Sequence, residues 1–165
     1  MSNSSNLSSL QRVMIGHSML IMFVTLVAGL GLWMSLLGGF ELIPGTIIHF
    51  QLPGTPEGWA RAHRGTPLNS LMVLGVALFL SKLGLSETVQ KRIGWIIICT
   101  GWANTVFYFA SNFAPNRGLS FGTNAFGPGD FAAFVALAPA YLFGVLSMGA
   151  TLYLGIVALK SAKAS

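Results

Sequence analysis

The chain has 165 residues, of which 53% are hydrophobic and only 8% charged, against about 25% charged in an ordinary soluble domain. That poverty of charge excludes both a normal solvated surface and intrinsic disorder. A single cysteine excludes a disulfide framework and any thiolate zinc or iron–sulfur site within one chain. The net charge of +5 arises from nine Lys and Arg against four acids, scattered between apolar blocks. A nucleic-acid binder gathers its bases on one solvated face, so no nucleic-acid partner is expected. The class is an all-α polytopic membrane protein with the lipid bilayer as its solvent.

Crossing a bilayer takes about 20 helical residues at roughly 1.5 Å each, and four apolar segments qualify. After a flexible N-terminal tail over 1–12, Ser- and Asn-rich at 2–9, a first helix is expected over 13–40, with no Asp, Glu, Lys or Arg. It is too long to be a cleavable signal core. A second helix over 56–82 opens with Thr55 as cap, Pro56 at the first helical position and Glu57 at the positive end of the dipole. A third is expected over 92–113, and a fourth over 130–160 with Asp130 as its cap, before a C-terminal tail over 161–165. Together, residues 13–160 read as one four-helix transmembrane domain. Ser147, Thr151 and Gly155 recur every four residues on the fourth helix and permit close helix contact.

The connections differ in kind. Residues 81–92 are an ordinary hydrophilic loop. Residues 41–55 place two turns, Pro44-Gly45 and Pro53-Gly54, around a strand-like run from Thr46 to Leu52. Residues 113–130 mix Gly, Pro and Asn with Phe113, Phe121 and Phe126, the composition of a loop packed on protein. Arg12, Lys82, Lys91, Arg92, Lys160 and Lys163 fall on one side of the four spans, and Arg61, Arg64 and Arg117 on the other. The positive-inside bias then puts both termini in the cytoplasm and the structured loops on the non-cytoplasmic side.

Several polar residues lie where a membrane helix should be apolar. Pro67 has no N–H to give the carbonyl of His63, so a kink or break is expected beside that imidazole, which Arg61 and Arg64 flank. Two readings of His63 stay open. It is an interfacial His bonded to a carbonyl, with the arginines on lipid phosphates, or it is a metal or haem ligand, with the arginines on two propionates. Thr100, Asn104, Tyr108 and Asn112 recur every four residues on the third helix and form one slowly drifting stripe. Such a stripe either bonds helix to helix or walls a substrate pocket with Tyr108 as a positioned phenol. His17 reads as a structural residue or a second axial ligand, His49 as a loop residue, and Glu41 as a partner for Arg61, Arg64 or Arg117. Cys99 reads as a small apolar filler. There is no C-x-x-C-H run, G-x-S-x-G, H-E-x-x-H or P-loop. The residues by themselves name no substrate.

The longer motifs are more specific. Gly16-His17 with Met19-Leu20, Gly31-Leu32-Trp33-Met34, Gly38-Gly39-Phe40-Glu41 and the unbroken run from Pro53 to His63 resemble the styrene oxide isomerase family. So do Gly101-Trp102 with Asn104, Phe107-Tyr108-Phe109, Ser111-Asn112-Phe113, Pro115 to Leu119, Phe126 to Asp130 and Ala138 to Gly144. The resemblance covers nearly the whole chain outside its two ends. It implies a small integral membrane enzyme of the bacterial cytoplasmic membrane, a homotrimer with haem b near the subunit contacts. The implied reaction is the redox-neutral, Meinwald-type isomerisation of styrene oxide to phenylacetaldehyde, downstream of a styrene monooxygenase. It implies His63 as the axial haem ligand, Arg61 and Arg64 beside the cofactor, and Tyr108 and Asn69 at the epoxide. Arg64, Ser70, Thr105 and His49 depart from the family pattern. The implied chemistry is a ferric haem acting as Lewis acid on the epoxide oxygen, followed by a 1,2-hydride shift. The contrasting readings are a membrane b-type cytochrome passing electrons, with His17 as second ligand, and a haem-free channel or binding subunit.

Overall fold

The computed structural model describes residues 7–164. It is mostly helical, with α1 over Ser9–Leu37, α2 over Pro56–Phe79, α3 over Glu87–Ala110 and α4 over Phe131–Ala164. All four are long and apolar enough to cross a membrane. Residues 1–6 of the expected tail lie outside the described residues, but its second half is not a tail. Ser8 accepts from the Gln11 N–H while the Gln11 side chain accepts from the Ser8 N–H, a capping box that starts α1 four residues before the apolar block. At the other end, Gly38 adopts φ 66° and caps the helix, so 38–40 are not helical.

The fold is not purely α. Strand β1, Gly39–Ile43, pairs antiparallel with β2, Thr46–His49, across the Pro44-Gly45 turn, where Gly45 has φ 82°. The Glu41 carboxylate accepts from the Gly45 N–H. Glu41 is therefore spent on its own hairpin and not on Arg61, Arg64 or Arg117. His49 sits in this hairpin opposite Gly39.

Thr55 caps α2 through the Gly58 N–H at 3.0 Å, and Asp130 caps α4 through the Ala133 N–H at 2.8 Å, as expected for both. The α2 helix runs on through Pro67 instead of breaking, and a 3-10 turn over Leu80–Leu83 ends it. Helix α3 begins at Glu87, five residues before the expected start. Its first turn is polar, with Glu87 and Lys91 paired at 2.6 Å, which an apolar-block reading passes over. Helix α4 continues into the expected C-terminal tail, to Ala164.

Helix α1 packs on α2, α2 on α3, and α3 on α4, while α3 also touches α1. Met14, Ile21, Val73, Leu80, Ile97, Ile98 and Leu154 form the apolar core. Buried polar groups join the helices. Ser18 and Ser70 each donate a hydroxyl to the other's carbonyl at 2.9 Å, and Thr100 donates to the Phe143 carbonyl at 3.1 Å. Outward, Phe23, Leu26, Tyr141, Met148 and Leu152 are all more than 60% exposed. An apolar surface of that extent suits lipid or another chain and not water.

The 111–130 loop is organised by Asn116, which is fully buried. Its amide donates to the Ser120 and Gly122 carbonyls at 2.8 and 2.9 Å, and its Oδ1 accepts from the Gly118 N–H at 3.0 Å. Asn124 donates back to the Asn116 carbonyl at 3.0 Å. Asn116→Ala would orphan the Ser120 carbonyl and the Gly118 N–H, each buried orphan costing about 1–3 kcal/mol. We expect the variant to unfold several degrees below wild type in a detergent melt; an unchanged midpoint would show that the loop does not depend on Asn116.

Candidate functional site

His63 faces α1. Its Nδ1 lies 3.2 Å from the carbonyl oxygen of Thr25. A carbonyl can only accept, so Nδ1 carries the proton in the neutral ring and Nε2 keeps its lone pair. The ring is seated on Gly29, where a Cβ would lie 2.8 Å from Cε1 and 2.9 Å from Nδ1. Glycine one turn beyond Thr25 thus lets the imidazole reach that carbonyl. Trp59, one turn earlier on the same face of α2, lies on Gly31 and donates its indole N–H to the Pro53 carbonyl at 3.0 Å.

Tyr108 lies against a different face of α2. Its ring covers Gly65 so closely that any Cβ there would collide with Cζ and Cε2. Among the described residues its hydroxyl makes no hydrogen bond. Asn69, one turn on from Gly65, is buried. Its Oδ1 accepts from the Asn104 amide at 3.1 Å, and its own amide donates to the Gly65 carbonyl at 3.4 Å. At the end of the same stripe, Asn112 accepts from the Thr55 N–H at 2.9 Å over Gly54 and Gly58. Three members of the polar stripe therefore bond helix to helix, and among the described residues Tyr108 is the one member whose side chain makes no hydrogen bond.

The structure brings Asn69, Asn104 and Tyr108 together, but not with His63. Positions 63 and 65 are about 200° apart around a helix, so the imidazole and the phenol flank opposite sides of α2 in one chain. Arg61 is half-buried on the Gly65–Asn69 side, and Arg64 is exposed, donating its Nε–H to the Ala60 carbonyl at 3.2 Å. His17 does not join His63. Its Nδ1 accepts from the Trp102 indole at 3.0 Å, which puts its proton on Nε2 and leaves no free lone pair. It also lies eight residues, about 12 Å of helix, from Thr25.

Among the described residues no three His, Cys, Asp or Glu side chains gather to hold a metal ion. A single imidazole with an oriented, free Nε2 fits a metal whose other ligands come from a macrocycle. The Thr25 carbonyl acts as the outer partner that fixes tautomer and ring orientation and raises the basicity of Nε2. The donor set therefore fits haem with His63 as its one protein ligand.

The comparisons with known proteins agree with the motifs. The family model described as styrene oxide isomerase matches residues 10–159. A styrene-oxide isomerase of Pseudomonas fluorescens is 59% identical over 155 residues, covering 94% of this chain and 92% of that protein. The chain belongs to the styrene oxide isomerase family. It is thus an enzyme of the isomerase class.

Thr25, Gly29 and Gly65 are the site residues that sequence reasoning missed. Their part lies in contacts across helices, and a lone glycine in an apolar span carries no local signal of what sits on it. Gly65→Val should force Tyr108 and α3 outward, an overpacking cost of about 1–3 kcal/mol, seen as a lower melting midpoint in detergent. A variant as stable as wild type would contradict the Tyr108–Gly65 contact.

Proposed function

We propose that this isomerase converts styrene oxide to phenylacetaldehyde without net oxidation or reduction, and that His63 holds a non-covalent haem b. The oriented Nε2 of His63 is the observation that carries the cofactor reading, and the family relationship carries the reaction. If bound there, a ferric haem would supply Lewis-acid chemistry to the epoxide oxygen.

The chain's own residues bind, orient and keep the site dry. Opening the benzylic C–O bond leaves positive charge beside the phenyl ring, and hydride then moves from the terminal carbon to the benzylic one, giving the aldehyde. Every atom of the epoxide stays in the product, so the protein need supply no proton, electron or water. The free Tyr108 hydroxyl donates to the epoxide oxygen, and Asn69, held by Asn104, fixes its orientation. Aromatic faces of Phe107 and Tyr108 stabilise the developing cation. An apolar site within the membrane excludes water, which would otherwise capture that cation as a diol.

His63 and Tyr108 flank opposite sides of α2, so a pocket holding both is completed by another copy of the chain. That supports a homotrimer with haem near the subunit contacts. The four apolar helices support an integral protein of the bacterial cytoplasmic membrane. The Lys/Arg balance supports cytoplasmic termini, with the hairpin and the 111–130 loop on the opposite side. An aryl epoxide made by an upstream styrene monooxygenase reaches the enzyme through lipid.

The test is a visible spectrum of detergent-purified protein before and after styrene oxide, with aldehyde assayed in the same cuvette. We expect a Soret band that shifts on epoxide addition while phenylacetaldehyde forms without reductant. A low-spin spectrum indifferent to epoxide would overturn the proposal. His63→Ala should lose haem and activity together, and retention of both would remove His63 as the ligand. Tyr108→Phe should keep the haem and slow turnover by roughly 10²-fold, in the range of a lost transition-state hydrogen bond; undiminished turnover would remove Tyr108 from the chemistry.

A further inference from the structure

A cavity of about 320 Å³ opens at the loop end of the bundle, lined by Glu57 and Arg61 of α2, by Ser111 and Asn112 at the end of α3, and by Arg117 in the next loop. Two cations and one carboxylate share this recess. Among the described residues the only ion pair within 4.0 Å joins Lys91 to Glu87, so neither arginine is neutralised by contact. Two like charges in a partly desolvated recess repel, and an anion between them relieves that repulsion.

Arg117 is held there by construction. Among the described residues it is the one non-glycine with positive φ, at 60°, a conformation L side chains adopt reluctantly. The buried Asn116 network beside it imposes that backbone. The Arg117 guanidinium lies 4.1 Å above the centre of the Phe126 ring. Among the described residues no hydrogen bond or ion pair occupies its N–H groups, which can bind carboxylate or phosphate oxygens in pairs. Arg61 shares an α2 stripe with Gly65 and Asn69 at four-residue spacing, so the cavity lies one turn loopward of Tyr108.

We propose that Arg61 and Arg117 form a two-guanidinium clamp for an oxyanion, carboxylate or phosphate, at the loop end of the Tyr108–Asn69 face. Arg117, and not the exposed Arg64, is the partner of Arg61. The oxyanion is either a haem propionate, in which case the clamp rests on the haem reading above, or the phosphate of a lipid headgroup.

The experiment compares full-length wild type, Arg61→Gln and Arg117→Gln in detergent. Each apoprotein is titrated at the Soret band with haem b and with haem b dimethyl ester, and phospholipid phosphorus retained through purification is measured on the same samples. For propionate capture, wild type binds haem b about tenfold tighter than the diester, and each Gln variant loses most of that preference. For lipid capture, all three proteins treat haem and diester alike, while the Gln variants retain less phosphorus. Equal behaviour of wild type and variants in both arms overturns the clamp, whether or not haem binds. If wild type takes up no haem but the variants lose phosphorus, the clamp stands and the haem reading falls. Should a Gln variant not fold, Arg61→Lys and Arg117→Lys carry the comparison. They keep the charge but lose the paired N–H edge, so a several-fold loss is expected in whichever arm is active, and parity with wild type overturns the clamp.

Discussion

A backbone carbonyl in the middle of α1 can accept a hydrogen bond and cannot donate one, and the orientation of His63 follows from that. The bond to Thr25 settles which nitrogen is protonated, and the seat on Gly29 settles where the ring lies. Both depend on α1 and α2 approaching closely. Lipid offers no hydrophobic drive for such an approach, so small residues and interhelical hydrogen bonds must supply it. The reciprocal Ser18–Ser70 bonds join the same two helices farther along. Gln11 adds a third tie through the Ala77 carbonyl at 3.0 Å.

Helix α2 then acts as a partition. One face carries Trp59, His63 and Ser70 against α1; another carries Gly58, Gly65 and Asn69 against α3. Glycines on the second face let Tyr108 and Asn112 come up to the backbone. A single helix therefore presents an oriented imidazole on one side and a polar, aromatic wall on the other. The imidazole and the phenol therefore do not meet within one chain.

Much of this was legible in the sequence because some signals are local. Thr55-Pro56-Glu57 and Asp130 mark helix starts through chemistry within one turn, and the four long apolar stretches mark the helices themselves. The boundaries were less legible. The polar first turns at Ser8–Gln11 and Glu87–Lys91 belong to helices but do not look apolar. The β1–β2 hairpin was half visible in the Thr46–Leu52 run, yet its partner strand begins inside what reads as the end of an apolar helix, just past the left-handed Gly38. The four-residue stripe on α3 was visible, but not which members would be consumed by helix pairing. That depends on facing residues 35 and 57 positions away, Asn69 for Asn104 and Thr55 for Asn112. The motifs named the family because they are long. The tautomer of His63 was beyond reach, since it is set by a carbonyl 38 residues distant.

Helix α4 is supported unevenly. Among the described residues its backbone lies against α3 and the short 3-10 turn and not against α1 or α2. During synthesis it is also the last to leave the ribosome. The three helices carrying Thr25, His63 and Tyr108 can thus settle against one another first, with α4 docking afterwards as a flank. Local opening of α4 would therefore leave the α1–α2 contact in place, with the imidazole still on the Thr25 carbonyl.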